Sequence, residues 1–323
     1  MNIEVIRSGP LTTVQDRGRF GYLRSGLGPS GPMDRDAFEE AARAVGNENG
    51  EAGLEMTLFG ATLKFGGPCT FVVTGADMGA KLDGTPVQRG VPVTAFAGQT
   101  LACGFAADGC RGYFAVRGGI DVPVVMNSRS TNLKCRLGGL DGRSLKDGDV
   151  LRVPDQAASG EQVSAGSTVA SETGKQPVYG HSVTVRVIRG PQDDYFTAAG
   201  MATFLSSSYK VSVQSDRMGI RLEGPMIESR GGTDIVSDGI AFGSVQVPAG
   251  GQPIILMADR QTTGGYAKIA TVVTADLPLL AQRKPGDEVH FTEVTVEEIQ
   301  KEIRRKAAKP VSIFGILRGL FWE

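Results

Sequence analysis

VIRSGP at residues 5–10 returns, one serine shorter, as VIRGP at residues 187–191. Two more echoes follow in the same order. Gly112-Tyr113 opens an apolar run, and Gly265-Tyr266 does so again. Lys146-Asp147-Gly148-Asp149 before Val150 is matched by Lys284-Pro285-Gly286-Asp287 ahead of Glu288 and Val289. Each of these last pairs is a turn feeding a closing strand, VLRVP (150–154) and EVHF (288–291). Echoes in one order at the two ends of a chain predict two related β units, the first carrying extra insertions. Between them, residues 155–180 are rich in Ser, Gly and Ala with almost nothing to bury, and read as a linker or long loop.

The 45 glycines and 16 prolines show no collagen period and fall between short runs of Val, Ile, Thr and Phe, the pattern of many tight turns joining short strands. TFVVTGA (70–76), KLDGTPV (81–87), TVRVIRG (184–190) and PIILMAD (253–259) read as strands. Continuous apolar runs among them suit strands buried on both faces. One helix is expected from near Asp34, with Phe38, Ala41, Ala42 and Val45 on its apolar face and Gly46-Asn47 as its stop. A second begins at Thr295, where Glu298 completes a capping box, with Val296, Ile299 and Ile303 as its apolar face. Glu297 and Glu298 lie at its positive end and Arg304, Arg305 and Lys306 at its negative end. After Pro310, Ile313, Phe314, Leu317, Leu320 and Phe321 would share one helical face. That tail suits packing on the body of the chain, docking to a partner, or shallow contact with a membrane surface.

A length of 323 residues allows two domains with separate cores. The 34 basic and 35 acidic side chains nearly cancel, which gives no electrostatic case for nucleic acid or an anionic membrane as main partner. The first residues lack a signal-peptide pattern, and no segment reaches the apolar length of a membrane span, so a cytoplasmic protein is expected. Cysteines 69, 103, 110 and 135 form no CxxC pair and read as small buried apolar side chains rather than metal ligands.

Several chemistries lack their residues. There is no Walker A loop, no dinucleotide fingerprint and no biotinyl-lysine flanked by methionines. Ser30, in Gly28-Pro29-Ser30-Gly31, misses nucleophile-elbow spacing, and with only His181 and His290 a Ser-His-Asp triad is not expected. Polar work then falls to Asp, Gln, Arg, Lys, Thr and backbone amides. These gather in TTVQDRGR (12–19), where Gly18 allows close backbone approach and Arg19 can fork onto a carboxylate or phosphate, or pair with Asp16 in a turn. They gather again in SRSTN (128–132), and in DRQTTGGYAK (259–268) after an apolar strand, a run that lines a cleft more readily than it fills a core. Gln192, Asp216, Arg217, Asp238 and Gln246 flank apolar runs; the Asp216-Arg217 neighbours read as structural.

Taken together, TTVQDRGRFGY, GPSGPMDRDAF, AVGNENGEAGLE, SRSTNLKCRLGGLDGR, GPQDDYF, SDRMGIRLEGP, SDGI, VQVPAGGQPI and ADRQTTGGYAKIATV, in this order, resemble the biotin-dependent carboxyltransferase family. That family takes in the C component of 5-oxoprolinase, KipA, allophanate-hydrolase-subunit-2-type proteins and the carboxyltransferase region of urea carboxylase. The resemblance spans the chain except the linker and tail. It implies a mainly β fold of two cyclophilin-like β-barrel domains with a few short helices. Residues 1–154 would form the first barrel with a helical insertion and 181–294 the second, followed by a C-terminal helix and tail (295–323).

The resemblance further implies a cleft shared with a B (KipI-type) subunit and an A (lactam-utilisation) subunit. Together these would convert 5-oxoproline to glutamate with ATP and Mg²⁺ used by the assembled complex, this chain being inactive alone. ATP is needed because water attacks an amide carbonyl poorly until its oxygen becomes a leaving group. Such a site requires cations and donors. Arg19, Arg129 and Lys268 are the candidate cations. Asp16 and Asp259 are candidates to hold magnesium or orient water. Gln15, Ser30, Gln192, Gln246, Gln261, Thr262, Thr263 and Tyr266 are candidate substrate-binding groups. The family stretch usually reads Gly-Gly-Tyr-Pro-Lys; Ala267 here removes a fixed φ just before Lys268. Two other readings stay open: a KipA-type regulatory binding protein that sequesters a kinase inhibitor, and a carboxyl transfer to urea or a related amide with biotin on another chain.

Overall fold

The computed structural model describes residues 1–47, 50–154 and 177–307. Most of the expected linker and all of the apolar tail therefore lie outside the described residues.

The first half builds two antiparallel sheets. One runs, edge to edge, Val150–Arg152, Asn2–Arg7, Thr62–Phe65, Thr100–Ala102, Lys81–Leu82 and Thr85–Pro86. The other runs Thr12–Gln15, Gly53–Thr57, Asp108–Val116, Cys69–Asp77 and Val93–Ala95. Inward side chains from both make one core around Phe65, Phe71 and Phe114, with ring centroids 5.2 Å apart for Phe65–Phe71 and 5.7 Å for Phe71–Phe114. The second half closes a seven-stranded barrel: Ser182–Arg189, Lys268–Val272, Ser244–Gln246, Ile254–Leu256, Gly219–Glu223, Tyr209–Val211 and Glu288–Glu293. Closure is made by a parallel pairing, Ser182 with Glu288 through Val187 with Glu293, in an otherwise antiparallel barrel. A two-stranded ribbon, Asp234–Gly239 with Thr263–Tyr266, stands beside it.

The expectation of two barrels is thus corrected: among the described residues one barrel closes, and the first half forms two sheets. The physical reason lies in the ends. Asn2–Arg7 pairs antiparallel with Val150–Arg152, whereas its counterpart Ser182–Arg189 pairs parallel with Glu288–Glu293, so the two halves close their sheets differently. The echo itself is real at its turns. Lys146 N–H donates to the Asp149 carboxylate at 2.7 Å, and Lys284 N–H to that of Asp287 at 3.0 Å, so each aspartate closes its own turn. The Gly-Tyr echo diverges, since Tyr113 is wholly buried and Tyr266 is exposed.

The first helix, Arg35–Ala44, starts near Asp34 as expected, and the structure shows Asp34 as its N-cap, accepting from Ala37 N–H at 3.0 Å. The capping box at Thr295 forms in both directions, opening a helix over Val296–Ala307. Its expected apolar face does not bury, Val296 and Ile303 remaining exposed. Two short helices, Ala198–Ser206 and Leu277–Ala281, are additional, and KLDGTPV is a hairpin rather than one strand. Cys69, Cys103 and Cys110 are buried; Cys135, contrary to expectation, is exposed. Burial pushes the Cys103 thiol up to about 12, the signature of an inert core thiol. No helix among the described residues is long and apolar enough to cross a membrane.

The barrel core is tightened by Phe291, which stacks on Phe204 at 4.4 Å between centroids and tilts against Tyr209 at 5.9 Å. Phe291→Ala should destabilise the chain by about 3–5 kcal/mol, measured by urea denaturation. A loss under about 1 kcal/mol would mean the barrel repacks around the gap.

Candidate functional site

The halves meet through a buried polar seam centred on Arg217. Its Nε donates to Asp259 at 2.9 Å, its Nη2 to Gly31 O at 2.7 Å, and its Nη1 to Glu55. Arg217, Glu55 and Asp259 are all buried. Burial pulls the Arg217 guanidinium down, but the Asp259 and Glu55 carboxylates outweigh it and hold the pKa above its ordinary value. Glu55 also accepts from Met33 N–H at 2.7 Å and from the Tyr113 hydroxyl at 2.8 Å, while that hydroxyl accepts from Asp34 N–H at 2.8 Å. Gln282 Nε2 donates to Asp34 at 2.7 Å, and its carbonyl takes the N–H groups of Cys110 and Arg111. Met33 itself inserts into the core of the second half. The glycine-rich loop before the first helix is therefore a pin driven across the junction. Gly31, at φ +81°, is one place where the backbone demands glycine, because a Cβ there would lie 3.1 Å from Arg17 O.

Beside this pin lies the first candidate cluster. The Asp16 carboxylate accepts from Gly18 N–H (2.9 Å), Ser128 Oγ (2.6 Å), Ser130 Oγ (2.6 Å) and Arg129 N–H (2.5 Å). It ties the SRSTN segment to the TTVQD strand. Arg19 is 1% exposed, donating from Nε to Val125 O (3.0 Å) and from Nη2 to Ser130 O (2.9 Å), and burial lowers its pKa. No Asp16–Arg19 hydrogen bond forms; the arginine braces carbonyls instead. Gln15 donates to Thr13 Oγ1 and Thr131 O, and Asn132 donates to Ser30 Oγ at 3.0 Å. Gln15 Oε1 and Arg19 Nη1 are buried without a partner among the described residues. The half-buried Arg129 guanidinium pairs with no group among the described residues, so it is the member of this cluster left available for an anion.

The second cluster gathers on the barrel. Lys268, 3% exposed, donates from Nζ to Asp238 at 2.8 Å, and this contact first of all holds the Asp238 carboxyl below its ordinary range. Gln192 Oε1 accepts from Lys268 N–H at 3.2 Å and its Nε2 reaches Asp238 at 3.4 Å. Gln246 donates to Tyr266 O at 3.1 Å. Thr263 and Tyr266 lie exposed in the ribbon; Thr262 and Gln261 lead into it, with Gln261 Oε1 buried and unpartnered among the described residues. Ala267 has its own reason. Its N–H donates to Thr233 O at 2.7 Å, a bond that proline would lack, so Lys268 is held without a prolyl ring.

Asp259 belongs to neither cluster, its carboxylate being taken by Arg217. The tests for magnesium follow from these bonds. Asp16 is saturated by four donors and Asp259 is neutralised by a guanidinium, so neither fits a cation. Among the described residues no group of three His, Cys, Asp or Glu could hold one. Sequence reasoning misses Glu55, although a lone carboxylate in the apolar strand GLEMT is a usable signal. It reads Arg217 correctly as structural but gives it the wrong neighbour: Asp216 accepts instead from Met218 and Gly219 N–H in its own turn.

Two β-rich halves, pinned by a buried arginine, each carry a cluster of cationic and amide side chains. Residues 25–293 match the family described as carboxyltransferase domain, subdomain A and B, and the chain belongs to that family. It is 41% identical over 299 residues to the C component of the Escherichia coli 5-oxoprolinase, covering 93% of each chain. Against the same-named component of Haemophilus influenzae it is 38% identical, covering 94% of each. The crystal structure of Kluyveromyces lactis urea carboxylase superposes with a TM-score of 0.86 at 32% identity, over 95% of this chain and 29% of that one.

Two outcomes are expected. Arg217→Met, which strands two buried carboxylates, should destabilise the chain by about 3–5 kcal/mol in urea denaturation. A loss within about 1 kcal/mol would show that the pair is replaceable by apolar packing. Burial, partly offset by Ala37 N–H and Gln282, pushes the Asp34 carboxyl up to about 6 from 3.8. Its stabilising contribution is then greatest below 3.8 and is lost as pH rises toward 6, because the folded chain holds the extra proton in that window. Carbon-detected NMR titration of Asp34 checks the midpoint; a value near 4, the ordinary carboxylate range, would contradict it.

Proposed function

We propose that this chain is the C-type component of an ATP-dependent 5-oxoprolinase, acting in the cytoplasm with an A-type and a B (KipI-type) subunit to convert 5-oxoproline to glutamate. End-to-end similarity carries the reading: 93% of this chain is matched against 93% of a protein named as that component. The urea carboxylase match, in contrast, embeds this fold in a chain more than three times longer by coverage. The division expected from the sequence, residues 1–154 and 181–294, is kept. Separate cores support it, with Met33 the one crossing member among the described residues.

The bonding pattern supports a limited chemical share for this chain. Its candidate carboxylates are spent on donors within the fold, so ATP with Mg²⁺ is assigned to the assembled complex rather than to Asp16 or Asp259. Arg129 is the cation offered to an anionic group. Asp16 and Arg19 act as positioning residues, holding the loop that carries Arg129. Lys268, locked by Asp238, supplies a fixed positive charge beside Gln192, Gln246, Gln261, Thr262, Thr263 and Tyr266, the proposed substrate-facing groups. Stabilising charge that develops on a lactam oxygen requires donors fixed in advance, and a buried lysine meets that requirement.

Mixing the purified chain with A- and B-type subunits, ATP and 5-oxoproline should release glutamate, with none from this chain alone. Arg129→Ala should lower kcat by about 10²-fold, and Lys268→Ala by a similar factor. Tight binding of the B-type subunit with no glutamate, unchanged by either substitution, would replace the proposal with a regulatory role. Transfer of the carboxyl group from a carboxylated biotin carrier to added urea, with release of free biotin on the carrier, would replace it with carboxyl transfer, the activity named for the urea carboxylase that shares this fold.

A further inference from the structure

Phe242 holds two guanidinium groups on one ring. The Arg260 guanidinium carbon lies 5.3 Å from the ring centroid and that of Arg35 lies 5.4 Å away, while Arg35 also covers Phe20 at 5.5 Å. Arg260 is 9% exposed and uses two donors on backbone carbonyls, Nε to Ile240 O and Nη1 to Met257 O, each at 3.3 Å. Its Nη2 takes no partner among the described residues. Arg35 makes no hydrogen bond at all among them, and its Nε is buried. Neither guanidinium meets a carboxylate within ion-pair distance. Glu39, the acid near Arg35, contacts Arg17 and Arg43 instead, both at 3.9 Å.

This arrangement runs against electrostatics three times over. Arg35 is the first residue of its helix, at the positive end of the dipole, where a cation is disfavoured. Burial lowers the pKa of both arginines, and Arg35 lowers that of Arg260 further, to about 10. Aromatic contacts recover only part of what desolvation costs a charge. Two crowded, partly dried cations, Arg35 with its whole fork free and Arg260 with Nη2 free, are stable neighbours when an anion joins them.

We infer that Arg35 and Arg260, with the rings of Phe20 and Phe242, form an oxyanion-binding subsite where the first helix of one half meets the loop after Ile254–Leu256 of the other. Its ligand is a small molecule presenting a carboxylate or a phosphoryl group. The Gly28 loop shapes one side, since a Cβ on Gly28 would come 2.9 Å from Arg260 O. The inference rests on the arginine geometry and holds whatever reaction the assembled complex performs.

Calorimetric titration of the full chain at fixed ionic strength, with inorganic phosphate and separately with 5-oxoproline, tests it. Saturable binding of at least one is expected, weakened about tenfold or more by Arg35→Gln and comparably by Arg260→Lys, which keeps charge but loses the fork. Arg35→Gln removes no hydrogen bond, so the variant should still unfold in one cooperative thermal transition, and it carries the test if the Arg260 variant folds poorly. The exposed Arg24→Gln serves as control and should bind as the parent does. Phosphate binding alone identifies a phosphoryl site, and 5-oxoproline binding alone identifies a carboxylate site. Absence of binding by both probes, or binding undiminished in Arg35→Gln, overturns the inference. Glutamate release is not read in this experiment, so a failed reconstitution leaves its result untouched.

Discussion

One buried guanidinium, that of Arg217, decides how the two halves of this molecule face each other. It is taken out of water completely, a loss that a cation sustains only with close carboxylates and satisfied donors. Glu55 comes from a strand of the first half, Asp259 from the turn after a strand of the second, and Gly31 O from the loop before the first helix. An apolar junction of the same area would tolerate sliding by a residue or a rotation of a few degrees. This one does not, because every displacement leaves a buried charge without its partner. Its value lies in registry more than in net stability.

The seam propagates outward through hydrogen bonds rather than through packing alone. Glu55 fixes Met33 N–H and the Tyr113 hydroxyl, Tyr113 fixes Asp34 N–H, and Asp34 both caps the first helix and takes Gln282. The helix start, and therefore Arg35, is placed by a chain of contacts that begins at Arg217. The loop bearing Arg129 is placed in the same manner, by Asp16 and Arg19, which hold Ser128, Ser130 and Val125. A cleft built on loops acquires precision when the supporting side chains are themselves fully bonded.

Local features were legible in the sequence. The helix start near Asp34, the Thr295–Glu298 box and the Lys-x-Gly-Asp turns each need only residues within a few positions, and each forms as read. Barrel closure was not legible, since it depends on whether the last strand returns parallel or antiparallel to the first, and composition is the same in both cases. The candidate acids failed for a related reason. Asp16 and Asp259 occupy the polar stretches that a cleft would use, but their partners, Ser128, Ser130 and Arg217, lie 42 to 114 positions away. Linear spacing carries no trace of such pairs. The family resemblance conveyed where polar groups concentrate but not which of them the fold consumes.

That difference in consumption bears on chemistry. The fold itself is shared with a urea carboxylase at 32% identity, so architecture alone does not select a reaction. What remains after the fold has satisfied itself does narrow the choice. The acids of the two clusters and the seam are bound to hydroxyls, amides or cations within the fold. Arg129, Arg35 and one fork of Arg260 are not bound to any acid. A surface with its bases occupied and its cations open is poorly suited to abstract a proton or hold a metal, and well suited to bind an anion or stabilise one as it forms. Under the proposed reaction, proton transfer and metal binding are therefore assigned to the partner subunits, and the open cations of this chain to anion binding.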